Sequence, residues 1–232
     1  MRDKIVLPYT YEVKPKFIQA SCVEGKRIDP RQADIVSRYK PDMIFFEYPA
    51  PKGNPSLIFN RFALQKKPLL KVQKIKSDLH KAAQKYPYAL SDVSVWENIE
   101  RLWHEGHDVL LFNIDAPQEL RRHYHERYGT IPYAKVKNHW WFWAYLLTKE
   151  RWMTKYIQDI LKKHHGKKKV IIAVFLQSDH WERVQFLLRK PSQKAVWKFY
   201  FGNFSEITPT TIKQQIKKQD RILYKYWREK FS

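Results

Sequence analysis

Three continuous apolar runs of strand length, within Met43-Ile-Phe-Phe-Glu-Tyr48, Asp108-Val-Leu-Leu-Phe-Asn-Ile-Asp115 and Lys169-Val-Ile-Ile-Ala-Val-Phe-Leu-Gln177, set the tightest limit on what this chain can form. A strand buried on both faces reads as an unbroken hydrophobic run, whereas a strand with one wet face alternates. The first run ends on Glu47, before Pro49, the second ends on Asp115, and the third leads into Ser178-Asp179-His180. A shorter run, Lys16–Ser21, precedes Cys22.

Helical segments separate these strands. Asp29 and Pro30 are a cap and a first helical residue for a helix reaching Tyr39, and Lys40-Pro41-Asp42 stops it. A second helix runs from Ser91 or Asp92 through Trp96, Ile99 and Trp103 to Gly106. Pro117–Tyr128 and Tyr133–Lys163 follow, the latter with a break expected near Thr148, and Ser178-Asp179-His180 caps a helix bearing Val184, Leu187 and Leu188. Ala195–Phe201 alternates and reads as a final strand. Thr208-Pro209 opens a terminal helix with Ile212, Ile216, Leu223 and Trp227 on one side and basic residues on the other. Strands alternating with helices at this spacing predict an α/β fold, an open and mainly parallel sheet with helices on both faces. It forms a single domain over residues 1–208, and the basic helix 209–232 is packed on it or projects from it.

Right-handed crossovers bring the carboxyl ends of such strands to one edge, where ligands bind in open α/β sheets. Cys22, Glu47, Asp115 and His180 all follow strands and are expected there. A thiolate, a carboxylate or two and an imidazole on one rim suit a divalent metal, zinc or manganese, with a position open for water. The same set could instead make a Cys–His nucleophile pair. A plainer account also fits, because a lone cysteine beside a strand is a small buried hydrophobe and a strand-end carboxylate accepts backbone N–H bonds.

Forty-four basic residues against twenty-three acidic ones give a net charge of +21. That potential concentrates polyanions, so nucleic acid or an anionic membrane surface is an expected partner class, although a solvated basic surface gives the same count. Lys66, Lys67, Lys71, Lys74, Lys76, Lys81 and Lys85 surround Val72, Ile75, Leu79 and Ala82 as a basic amphipathic helix. Six glycines cannot assemble a phosphate-binding loop, and a single cysteine excludes an internal disulfide framework. Prolines and charges interrupt the first sixteen residues, and no run is long enough to span a bilayer, which predicts a cytoplasmic protein. His104 and His107 miss the i, i+4 spacing of a metal-binding helix face, His123 and His125 point apart, and Trp140, Trp141 and Trp143 read first as core and second as a base-stacking platform.

The order of these segments resembles the TraB/PrgY–TIKI superfamily, which includes the erythromycin-esterase-like and ChaN-like proteins. Its pattern is a strand ending in G-x-x-H, a helix, "kPD-hydrophobic-E", a "hydrophobic-iDrd…R" segment, "ERn/d-x-x-M/I-a" and a strand ending in a second G-x-x-H. Tyr39-Lys-Pro-Asp-Met-Ile-Phe-Phe-Glu47 is similar to the second element, and Val109–Asp115 with Arg121 and Arg122 to the third. Glu150-Arg151-Trp152-Met153 is similar to the fourth, and Val170–His180 to the last. Gln177-Ser-Asp-His180 lacks the glycine, and Gln19-Ala-Ser-Cys22 carries cysteine where the family places its first histidine. The resemblance implies metal-dependent hydrolysis, of peptide substrates in the peptidase-like case. Cys22, Glu47 and His180 would be ligands or acid–base groups beside Asp115, and Arg151 would pair with a carboxylate or polarise a substrate carbonyl.

Overall fold

The computed structural model describes residues 14–19, 34–47, 89–107, 109–116, 118–129, 131, 133–162 and 169–231, together with 77, 78, 80, 81 and 84. Cys22, most of the basic segment around 66–85 and the side chain of Trp227 lie outside the described residues. The described strands are β1 (Lys14–Gln19), β2 (Met43–Phe46), β3 (Leu110–Asn113) and β4 (Lys169–Phe175), paired in the order β1-β4-β2-β3 and all parallel. The described helices are α1 (Ile35–Tyr39), α2 (Ala89–His104), α3 (Gln118–Tyr128), α4 (Tyr133–Val136), α5 (Trp140–Lys162), α6 (Ser178–Leu188), α7 (Gln193–Phe201) and α8 (Pro209–Phe231). The chain is therefore an α/β fold built on an open parallel sheet. It divides into two compact units, Met1–Ile114 with Ile160–Glu182, and Asp115–Asp159 with Arg183–Ser232.

In the first unit the strands are unbroken apolar runs because both faces of the sheet are covered. Ile18, Ala173, Ile44 and Leu111 are in register and share one face, and Phe17, Ile172, Met43 and Leu110 share the other. Val36 of α1 and Trp96 and Ile99 of α2 close the first face over Ile44, Phe46, Ala173 and Phe175. Phe46 is stacked against two rings there, Trp96 at 5.3 Å and Phe175 at 5.4 Å between centroids. On the opposite face Phe45 meets Phe112 edge-on, and Trp181 of α6 lies 5.2 Å from Phe17.

Asp42 stitches the amino end of this sheet together. Its N–H donates to the Ile171 carbonyl, its carboxylate accepts from the Ile171 N–H, and its carbonyl accepts from the Leu110 N–H. Lys40, at φ 41°, turns the chain out of α1 just before it. Gly106, at φ 83°, ends α2: its N–H donates to the Trp103 carbonyl and that of His107 to the Leu102 carbonyl, the paired bonds of a glycine-terminated helix.

The second unit is helical, and two expectations change there. Ala195–Phe201 is the carboxyl-terminal part of helix α7, not a strand. Ser192 caps it by accepting the Ala195 N–H at 3.2 Å, and Trp197 packs on Phe201 one turn later, so the apolar residues that alternate in the sequence are used at helical spacing. Helix α5 runs through Thr148 without a break, because the Thr148 hydroxyl is satisfied inside the bundle, 2.9 Å from the Ala144 carbonyl and 2.7 Å from Gln219 Oε1. Trp141 stacks on Tyr128 with centroids 3.6 Å apart, and Trp143 donates to the Lys137 carbonyl, so both serve packing. The terminal helix α8 buries Ile212 and Leu223 in the same core. No helix among the described residues is long and apolar enough to cross a membrane.

Candidate functional site

Glu47 and His180 meet in the first unit. Strand order puts β2 beside β4, so the residues that follow these strands are neighbours in space though far apart in sequence. The Glu47 N–H donates to the Phe175 carbonyl at 3.0 Å, which fixes its backbone to the last rung of β4. His180 sits in the first turn of α6, and the adjacent Trp181 is buried against Phe17 of β1, so that turn is held on the sheet. The result is a contact of 3.5 Å between His180 Nε2 and Glu47 Oε1, with side chains only 10% and 8% exposed. A carboxylate set against an imidazole in a nearly dry position can orient the ring and support proton transfer.

Among the described residues no group of three His, Cys, Asp or Glu side chains converges to hold a metal. Two of the three expected ligands, Glu47 and His180, are together, with donor atoms suited to zinc; the third, Cys22, lies outside the described residues.

No family model, curated protein or solved structure matches this chain.

Asp115 opens the second unit, and three of its partners lie there. Its Oδ1 accepts the Ala116 N–H at 2.8 Å and lies 3.2 Å from Lys149 Nζ, and its Oδ2 lies 3.4 Å from Arg121 Nη2. Lys149 is only 5% exposed at its side chain, so Asp115 supplies a charge that a buried ammonium requires. Arg151 pairs with a carboxylate, Asp220 of α8, at 3.2 Å on the exposed surface. His107 is half-exposed in a surface cluster with Lys40 and Glu105.

The most buried charge in the described residues is one that the sequence reading passed over. Glu150, the neighbour of Arg151, is fully buried; its Oε1 accepts from Arg183 Nε and its Oε2 from the Tyr200 hydroxyl, both at 2.6 Å. Helical phase was the available signal: position 150 lies three or four residues from three apolar positions, Leu146, Leu147 and Met153, all buried, whereas Arg151 has only Leu147 at that spacing. Burial first, and then the Glu150 charge that accepts its proton, push the Tyr200 hydroxyl well above the ordinary tyrosine range. The folded state thus keeps a proton that the unfolded chain releases above about pH 10. This stabilisation is complete below that pH and is lost as the pH rises beyond it. Tyr200→Phe is expected to make the alkaline decline in the urea midpoint shallower than in the wild type; superimposable declines would show that Tyr200 does not carry it.

Proposed function

We propose that this chain is a divergent TraB-like hydrolase of peptide-like substrates, with Glu47 and His180 as its acid–base pair. The observation that carries this reading is the nearly buried contact of 3.5 Å between His180 Nε2 and Glu47 Oε1 at the carboxyl end of a parallel sheet. That edge is where open α/β sheets present ligand-binding groups. The ordered motifs of the superfamily fall on the same two residues, which adds support.

In this reading Glu47 orients the imidazole, and His180 takes a proton from the attacking water and returns it to the leaving group. In the metal-loaded alternative His180, Glu47 and Cys22 would instead be ligands of a divalent metal, zinc or manganese, which would supply water of lowered pKa when bound. His180→Ala and Glu47→Gln are each expected to slow peptide hydrolysis by about 10²–10⁴-fold, the usual contribution of a positioned acid–base group. Metal content of the purified wild type, compared with Cys22→Ala and His180→Ala, gives a readout separate from turnover. Wild-type rates in both pair variants, or a wild type with neither hydrolysis nor stoichiometric metal, would remove the proposal.

A further inference from the structure

Helix α8 divides its circumference sharply. Ile212, Gln215, Gln219 and Leu223 are buried, and the opposite arc exposes Lys213, Gln214, Lys217, Lys218, Arg221, Tyr224 and Lys225. Lys213, Lys217, Arg221 and Lys225 recur every four residues, so their row spans roughly 18 Å of helix. Asp220 is the sole acid between Pro209 and Lys225, and Arg151 of α5 pairs with it at 3.2 Å, adding another cation at the edge of the row. Tyr224 is 69% exposed among these cations, at a position where a soluble helix would ordinarily carry a polar residue.

We propose that this face of α8 binds single-stranded nucleic acid, the cationic row following the phosphates and Tyr224 stacking on a base. A cationic track that follows the backbone, with an exposed ring between the charges, is how proteins hold unpaired strands without reading their sequence. Charge complementarity selects a polyanion, and the wheel favours nucleic acid over a bilayer. An interfacial helix needs an apolar face to insert, but Ile212 and Leu223 are already spent on the protein core.

The test is fluorescence anisotropy of the full chain with a labelled 20-nucleotide single strand, the matching duplex as a second probe, and salt varied from 50 to 200 mM. The Lys213→Gln/Lys217→Gln/Arg221→Gln variant should bind more weakly, with its log–log salt slope reduced in magnitude by about 2, three phosphate contacts at about 0.7 each. Tyr224→Ala should weaken single-strand binding by about fivefold or more with the salt slope unchanged. Lys194→Gln/Lys198→Gln, which removes two exposed charges from α7, should bind like the wild type. Circular dichroism confirms that each variant keeps wild-type helix content. The proposal is overturned if single-strand binding is absent or insensitive to salt, if the α7 variant loses as much as the α8 variant, if Tyr224→Ala is neutral, or if the duplex binds more tightly. Face-dependent binding to phosphatidylserine vesicles without nucleic-acid binding would also overturn it, in favour of a membrane.

Discussion

Glu150→Ala is expected to lower the unfolding free energy by about 3–5 kcal/mol, the usual cost of removing one partner of a buried charge pair. Glu150 has no contact with solvent, and Arg183, only 13% exposed at its side chain, loses the carboxylate that holds it at 2.6 Å. The Tyr200 hydroxyl loses its acceptor in the same step. Stability of folded domains is about 5–15 kcal/mol, so the change consumes a large share of it. Breaking the pair and removing it are different perturbations: Glu150→Met with Arg183→Met should recover much of the loss, because neither residue is then left as an uncompensated charge. Urea unfolding followed by circular dichroism measures both. A single variant within about 1 kcal/mol of wild type, inside the range of an exposed ion pair, would show that the network is effectively solvated.

Phe46→Ala should cost about 3–5 kcal/mol for a different reason, the cavity left by a fully buried ring. Trp96 and Phe175 lie nearly parallel to Phe46, at interplanar angles of 12° and 14°, so both lose a stacking partner. These three rings belong to α2, β2 and β4, and the alanine variant therefore loosens the helix from the two central strands. Phe46→Leu keeps most of the volume and should cost less than half as much. Equal losses for the two substitutions would mean that volume does not set the energy. Glu47 follows Phe46 directly, so the proposed hydrolysis, measured on the leucine variant, also reports how far the packing beneath the Glu47–His180 contact controls its alignment.

How much of this was legible in advance depended on the range of the interaction. Met43–Phe46, Leu110–Asn113 and Lys169–Phe175 could be read as strands because burial on both faces leaves an unbroken apolar run. Helix α7 could not, since Ala195, Trp197, Phe199 and Phe201 alternate while Trp197 and Phe201 are also one helical turn apart; the Ser192 cap and the surrounding bundle decide between the two periods. Glu47 and His180 could be named from strand ends, but their contact requires β2 beside β4, a choice of strand order that no local pattern encodes. Glu150 was hidden by its neighbour: in Glu150-Arg151 the motif drew attention to the arginine, while the phase of α5 buries the carboxylate. Lys149 with Asp115 and Arg183 with Glu150 are long-range pairings of single charges, and a sequence of 44 basic residues gives no means of choosing among them.

The position of β4 between β1 and β2 has a consequence for biosynthesis. Asp42 and Ile171, which bond across the β2–β4 seam, are 129 positions apart. At about 5–20 residues per second a ribosome takes about 6 to 26 seconds to make that stretch. Throughout that interval β1 lacks β4, its neighbour among the described strands, and β2 can pair only with β3 once Leu110–Asn113 has been made, leaving its other edge and the Met43-Ile-Phe-Phe46 run uncovered. Slowed elongation ahead of Lys169 therefore prolongs the aggregation-prone period of the nascent chain, and release of β4 from the exit tunnel is the event that ends it.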